Sequence, residues 1–185
     1  KHFTYCNTNY ALLALIVEKV TGVPFPQYLQ QTFFTPLHMD HTFVFSMDKA
    51  DEVLPSFNYR NQKEAFTYLD AVYGDKNVYS TVRDMLKWDQ ALYSGKLISS
   101  KTLEEAFRPV RLNNGSTHDY GFGWAIQDSG STVMHSGSWV GFRTYIERDL
   151  RHRRTFIALT NGNNGKAIRI VNDILKGNPY TLPVT

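Results

Sequence analysis

The chain has 185 residues, of which 42% are hydrophobic and 14% aromatic, enough for one packed core that buries about 70% of the unfolded surface. No run of about eighteen apolar residues occurs, so no helix of bilayer-spanning length is expected. A net charge of +3 without a wide basic stripe argues against a nucleic-acid partner, and the single cysteine excludes an internal disulfide.

In chain order, Asn7 and Thr8 are candidate caps for a helix through Ala11, Leu12, Leu15, Ile16 and Val20, ended by Gly22 with Pro24 beyond. Its only charges are Glu18 and Lys19, which predicts burial on most sides. A short helix from Pro26 to Phe34 follows, with Phe25, Leu29 and Phe33 at helical spacing for core packing. From Pro36 to Asp75 periodicity is lost among scattered aromatics, and a structureless stretch of that length is expected to be functional or to cover something.

Ser80 and Thr81 then cap a helix carrying Val82, Met85, Leu86 and Trp88, with Asp84 at the reciprocal capping position and an end near Gly95. Another short helix spans Lys101 to Phe107, and Asn113-Asn114-Gly115 signals a turn. Period-two patterns predict strands over Tyr120 to Gln127, Thr132 to Ser138, Thr144 to Arg148 and Thr155 to Thr160, joined as an antiparallel meander. The basic cluster from Arg148 to Arg154 is expected to be a solvated hairpin turn. Phe156-Ile157-Ala158-Leu159 is apolar on both faces, as in a strand covered on both sides, and Lys166 to Lys176, after Asn164-Gly165, predicts a closing helix.

Two short motifs carry chemistry: Tyr5-Cys6-Asn7 near the start and His135-Ser136-Gly137-Ser138 on the second strand. Their context is also distinctive. Asn7-Thr-Asn-Tyr-Ala-Leu-Leu runs into an apolar helix, Gly74-Asp75-Lys-Asn-Val-Tyr-Ser-Thr81 leads into Asp84-Met-Leu-Lys-Trp88, and Gly121-Phe-Gly-Trp124 and Gly141-Phe142 bracket the second motif. With this linked context the chain resembles the β-lactamase-related, penicillin-recognising serine hydrolases, nearest to class C β-lactamases, D-aminopeptidases and related esterases. That family's order is Ser-x-x-Lys, then Tyr-x-Asn, then Lys/His-x-Gly followed by a small residue.

The resemblance implies an α+β fold, an antiparallel β-sheet flanked by helices with part of a helical subdomain, in a β-lactamase/transpeptidase-like but incomplete form. One domain fragment over 1–185 is expected, with 1–110 mainly helical and cleft-covering and 111–185 holding the strands and closing helix. The strands that normally precede the nucleophile helix being absent, the last strand would be a free edge open to self-association. Acyl transfer through serine needs a base, a polarising donor and backbone N–H groups at the developing oxyanion. By resemblance Tyr5 is the base or proton relay, Asn7, Ser136 and Gly137 hold substrate, His135 takes the lysine position, and the Ser138 N–H faces the oxyanion.

A tyrosine with a pKa of ~10 needs neighbouring positive charge to act as a base, and His135 is largely neutral near pH 7 without a partner that raises its pKa. The Ser-x-x-Lys triplet itself occurs only as Ser46-Met47-Asp48-Lys49, ahead of a charged stretch too short to be a buried helix before Pro55, so it is not the expected nucleophile. Cys6 is an alternative nucleophile, but in an extended segment it points away from Tyr5 and Asn7, and a small buried hydrophobe is expected. Ser136 faces the sheet side opposite His135.

The nucleophile is therefore expected outside this chain, in an upstream segment of the same protein. The chain begins at Lys1 without a signal peptide or lead-in strand, which fits a product of cleavage or truncation. The substrate class implied is a β-lactam, a D-amino-acid peptide or an ester. No metal or organic cofactor is implied, and the resemblance points to a periplasmic or membrane-associated extracytoplasmic location. The competing expectation is an inert binding or structural module that keeps the cleft.

Overall fold

A computed structural model describes residues 2–163 and 165–177, so the expected turn residue Asn164 lies outside the described residues. The first helix, α1, spans Asn7–Thr21 and ends at Gly22. Its N-cap is Cys6, which supplies no side-chain hydrogen bond, so neither Asn7 nor Thr8 caps it. Only Ala14 is buried on α1, whereas Leu12, Leu13, Leu15 and Ile16 are about half exposed and Val20 is 79% exposed, contrary to the expected burial on most sides. A scarcity of charge shows that a helix tolerates burial, and among the described residues no element covers this face.

After Pro24, α2 (Phe25–Leu29) continues into a wider π-type turn, Gln30–Phe34. Phe34, Met39 and Val44 form one core cluster, joined by Leu29, Phe33, Leu37, Tyr73 and Trp88. The stretch expected to lack structure contains β1 (Phe43–Val44), paired antiparallel with β2 (Val78–Tyr79). Between them Phe45 is wholly buried and stacks on Phe66, a burial worth ~1.5–3 kcal/mol, while the Thr67–Asp70 capping box closes a short 3₁₀ turn over Tyr68–Ala71.

Helix α3 spans Val82–Ser94, with the Thr81 hydroxyl accepting from the Asp84 N–H. Asp84 does not return the bond to Thr81. Its buried carboxylate instead accepts from the His41 N–H, the Thr42 hydroxyl and Lys87, tying α3 to the segment before β1. Helix α4 spans Ser100–Ala106, and Asn113–Gly115 turns between β3 (Val110–Arg111) and β4 (Thr117–His118).

The main sheet has the order β5-β6-β7-β8, antiparallel throughout: β5 (Ala125–Gln127), β6 (Thr132–Trp139), β7 (Phe142–Asp149) and β8 (Arg154–Thr160). The strand expected from Tyr120 begins only at Ala125, because the Gly121-Phe-Gly123 backbone bonds back to Ala106 and Trp124 rather than along the ladder. By register, Val133, His135, Gly137 and Trp139 share a face with Thr144, Ile146 and Arg148, and Ser136 and Ser138 lie on the other with Arg143 and Tyr145.

On the first face Trp124, Ile126 and Val133 form a second core cluster against Trp88, Phe107 and Ile146. Arg148, expected in a solvated turn, is wholly buried there. Its Nε donates to Asp89 Oδ1 at 2.7 Å, and its guanidinium lies 4.3 Å from the Tyr93 ring centroid. Strand alternation turns this one arginine inward while Arg151, Arg153 and Arg154 stay exposed. Helix α5 (Gly165–Leu175) lies on the opposite face, where Lys176 just past its end pairs with Glu147. Among the described residues β8 is paired on one side only.

Candidate active site

The two motifs, 128 positions apart in the chain (135 − 7), meet at the mouth of the first sheet face. Tyr5 and His135 have ring centroids 6.3 Å apart, and Tyr120 completes the group, its hydroxyl 3.1 Å from His135 Nε2 and its ring edge-on to Tyr5 at 6.0 Å. Phe3 stacks on His118 at 4.2 Å and flanks Tyr120 at 5.2 Å, fixing the backbone that delivers Tyr5. The sequence reading did not single out Tyr120; the available signal was an aromatic just before the Gly121-Phe-Gly123 turn that releases the backbone from the ladder.

Tyr5 is 51% exposed, and its pKa is raised first by partial burial, then by Tyr10 and by the negative charge of Asp75. Burial lowers the pKa of His135, outweighing a hydrogen bond at Ser136 that favours its charged form, so near neutral pH the ring is an uncharged imidazole. Tyr120 is held well above the ordinary phenol value, chiefly by burial and then by Tyr10 and Tyr5. The three rings thus form an uncharged cluster in which Tyr120 and His135 are hydrogen-bonded, and deprotonating Tyr5 calls for a cation brought close to it.

Asn7 is the exposed first residue of α1, with its side chain uncommitted to any hydrogen bond among those described. Cys6 is exposed, not buried, and lines with Tyr5 a cavity of about 270 Å³ walled by Phe3, Tyr10, Tyr120 and Phe122. The extended alternation that would separate Cys6 from Tyr5 ends here, because the chain turns into α1 one residue later. The Cys6 pKa is lowered by hydrogen bonds from Asn9 and Thr8 at the helix start.

Gly137 lies two residues beyond His135 on the same face, and a Cβ there would fall 2.2 Å from Thr144 Oγ1, so this stretch of β6 has no room for a side chain. The result is a bare strip of backbone between His135 and Trp139. Ser136 points its side chain to the α5 side, and the Ser138 backbone lies in the strip. Ser46 sits outside this grouping, as the N-cap of a 3₁₀ turn over Met47–Lys49.

A tyrosine-asparagine motif at a helix start facing a His-x-Gly strand on an antiparallel sheet defines a β-lactamase-type serine hydrolase architecture. The Beta-lactamase family profile matches residues 1–177, and the chain belongs to that family. It is 37% identical to penicillin-binding protein 4* of Bacillus subtilis over 97% of this chain and 45% of that protein. It is 26% identical to the D-aminopeptidase of Brucella ovis over 99% of this chain and 36% of that protein. The fold superposes on a penicillin-binding protein from Bacillus halodurans with a TM-score of 0.79 at 23% identity, covering 94% of this chain and 56% of that one. The chain spans under half the length of these curated relatives.

Proposed function

We propose that this chain forms two walls of an acyl-transfer site that cleaves amide or ester bonds through an acyl-serine intermediate, the serine coming from an upstream segment of the same protein. The observation that carries the reading is the convergence of Tyr5 with the hydrogen-bonded Tyr120–His135 pair, its ring centroid 6.3 Å from that of His135, beside the bare β6 strip. In this reading the attacking serine loses its proton through Tyr5, and a cation arriving with the serine lowers the Tyr5 pKa enough for that transfer. His135, Asn7 and the Ser136-Gly137 backbone hold the substrate, and the Ser138 N–H stabilises the oxyanion as charge develops on the carbonyl oxygen. Substrates of this chemistry are β-lactams, D-amino-acid peptides or esters.

The second reading, an inert module that retains the cleft, is favoured by the uncharged state of Tyr5 and His135 in this chain alone. Incubation with a fluorescent penicillin and with an activated ester, followed by intact-protein mass measurement, separates the two. The proposal expects no adduct on the 185-residue chain and one adduct, on an upstream serine, in the full-length protein. An adduct on Ser46 or Cys6, or none in the full-length protein, overturns it.

A further inference from the structure

Both nitrogens of the His135 ring are committed within the chain. The Tyr120 hydroxyl lies 3.1 Å from Nε2. The ring's other bond, at the Ser136 backbone, favours the charged form, which is the action of a carbonyl accepting a ring N–H, and Nδ1 is the nitrogen nearer the main chain. Tyr120 is itself fixed before it reaches the ring. Its N–H donates to the His118 carbonyl at 2.7 Å, its carbonyl accepts from the Val110 N–H at 3.0 Å, it bridges to Ala125 of β5, and Phe3 flanks its ring. A side chain on the next residue, Gly121, would run into the Ala106 carbonyl, so the turn that carries the hydroxyl has no slack.

These contacts decide the direction of the bond. With the proton on Nδ1, the neutral ring offers Nε2 as a bare acceptor, and burial keeps Tyr120 protonated. Tyr10 stands beside the same hydroxyl, but a phenol oxygen is a weaker acceptor than an imidazole nitrogen, so the Tyr120 proton goes to Nε2. A donor on Nε2 stabilises the neutral ring and opposes a second proton there. The groups facing His135 do not reverse this. They are Tyr5 ahead of α1, Tyr10 beyond Tyr120, and on β7 the Arg148 guanidinium, which Asp89 holds; Asp75, which acts on Tyr5, is paired with Lys76. At the far end of the strip the Trp139 indole N–H donates to Asp70, and Lys76 over the Trp139 ring is the cation already paired with Asp75.

We propose that Tyr120 is a positioning residue: its hydroxyl, donating to His135 Nε2, fixes the ring as the Nδ1–H tautomer and denies it a second proton, so that the β6 strip meets the substrate with an uncharged wall and disfavours acyl donors that carry a carboxylate beside the scissile bond. This rests on the reading that His135 lines the substrate cleft. Tyr120→Phe keeps the ring and its packing but leaves Nε2 open to a proton from solvent, and the imidazolium that forms is a partner for a carboxylate.

The test is a pH titration from 8 to 5 of the ¹⁵N-labelled chain, read on long-range ¹H–¹⁵N correlations of the imidazole nitrogens, with the His135 signals assigned by their loss in His135→Gln. The neutral wild-type ring should carry its proton on Nδ1 in roughly fivefold excess or more. In Tyr120→Phe the ring should take up its second proton at a higher pH than in wild type. A wild-type ring protonated on Nε2 alone, or a Tyr120→Phe ring that titrates as wild type, overturns the inference. Should Tyr120→Phe fail to fold, the wild-type tautomer decides.

In the full-length protein, the uncharged ester N-acetyl-D-alanyl-D-lactamide should be cleaved with a kcat/KM at least about tenfold above that of N-acetyl-D-alanyl-D-lactate, and Tyr120→Phe at pH 6 should narrow that ratio severalfold. Equal cleavage of both by wild type, or a ratio that Tyr120→Phe leaves unmoved, leaves the hydrolase reading standing and overturns the carboxylate discrimination. Cleavage of neither removes the hydrolase reading, and the tautomer and titration still judge Tyr120.

Discussion

In the proposed reaction the roles of Tyr5, His135 and Tyr120 turn on protonation. If Tyr5 relays the serine proton, Tyr5→Phe in the full-length protein should lower kcat/KM by roughly 10²- to 10⁴-fold with little change in folding, measured by steady-state hydrolysis and thermal melts. His135 makes a second, independent prediction. Its folded pKa lies below the unfolded value of ~6.5, so between the two values the unfolded chain binds more protons. Its contribution is complete above the unfolded value and is lost as pH falls below it toward the folded one. Melting temperatures from pH 7.5 to 5 should therefore fall less steeply for His135→Gln than for wild type.

Residue types at this scale were legible where they fell inside motifs. Tyr5, Asn7 and His135 were singled out from the sequence because their triplets sit in an extended context of matching residues. Tyr120 was not, since its place beside His135 comes from which strand ends and turns fold over β6, and no local spacing encodes that.

Among the elements, α3 and the sheet are joined by a buried ion pair and a ring stack. Arg148 is held by Asp89, which also accepts from the Thr155 hydroxyl, and Trp88 stacks on Trp124 at 6.2 Å. Removing one partner leaves an uncompensated buried charge, so Asp89→Ala should cost about 3–5 kcal/mol in urea unfolding. Asp89→Leu combined with Arg148→Met should be far less damaging, because neither charge is left alone. Helix positions and the three long strands were readable from periodicity, as were the Thr81 and Gly95 helix ends. The inward turn of Arg148 was not, because a cluster of four arginines in seven residues suggests solvent, and only the register with β6 and β8 assigns each one a side. The β1–β2 and β3–β4 pairs escaped notice because two-residue strands carry no period.

Over the whole molecule, apolar surface is unevenly distributed. Leu12, Leu13, Ile16 and Val20 on α1 are open to solvent, and among the described residues β8 is paired on one side only. Such surfaces favour association. Sedimentation velocity of the 185-residue chain should show concentration-dependent oligomers, reduced when Ile16 and Val20 are both changed to lysine; a strict monomer at all concentrations would contradict this. The expectation that α1 is buried came from its sequence, which is nearly free of charge, and the difference between that composition and its exposure is what points to a surface awaiting cover.

The burial of Arg148 also sets how the chain is digested. Trypsin is expected to cut after exposed Arg151 and Arg153, in the turn between β7 and β8, without disturbing the sheet, but the bond after Arg148 stays closed while its guanidinium is packed under Tyr93 and bound to Asp89. Cleavage after residue 148 thus times the opening of the core itself, and the ratio of that peptide to the hairpin-tip peptides is a built-in clock of global unfolding.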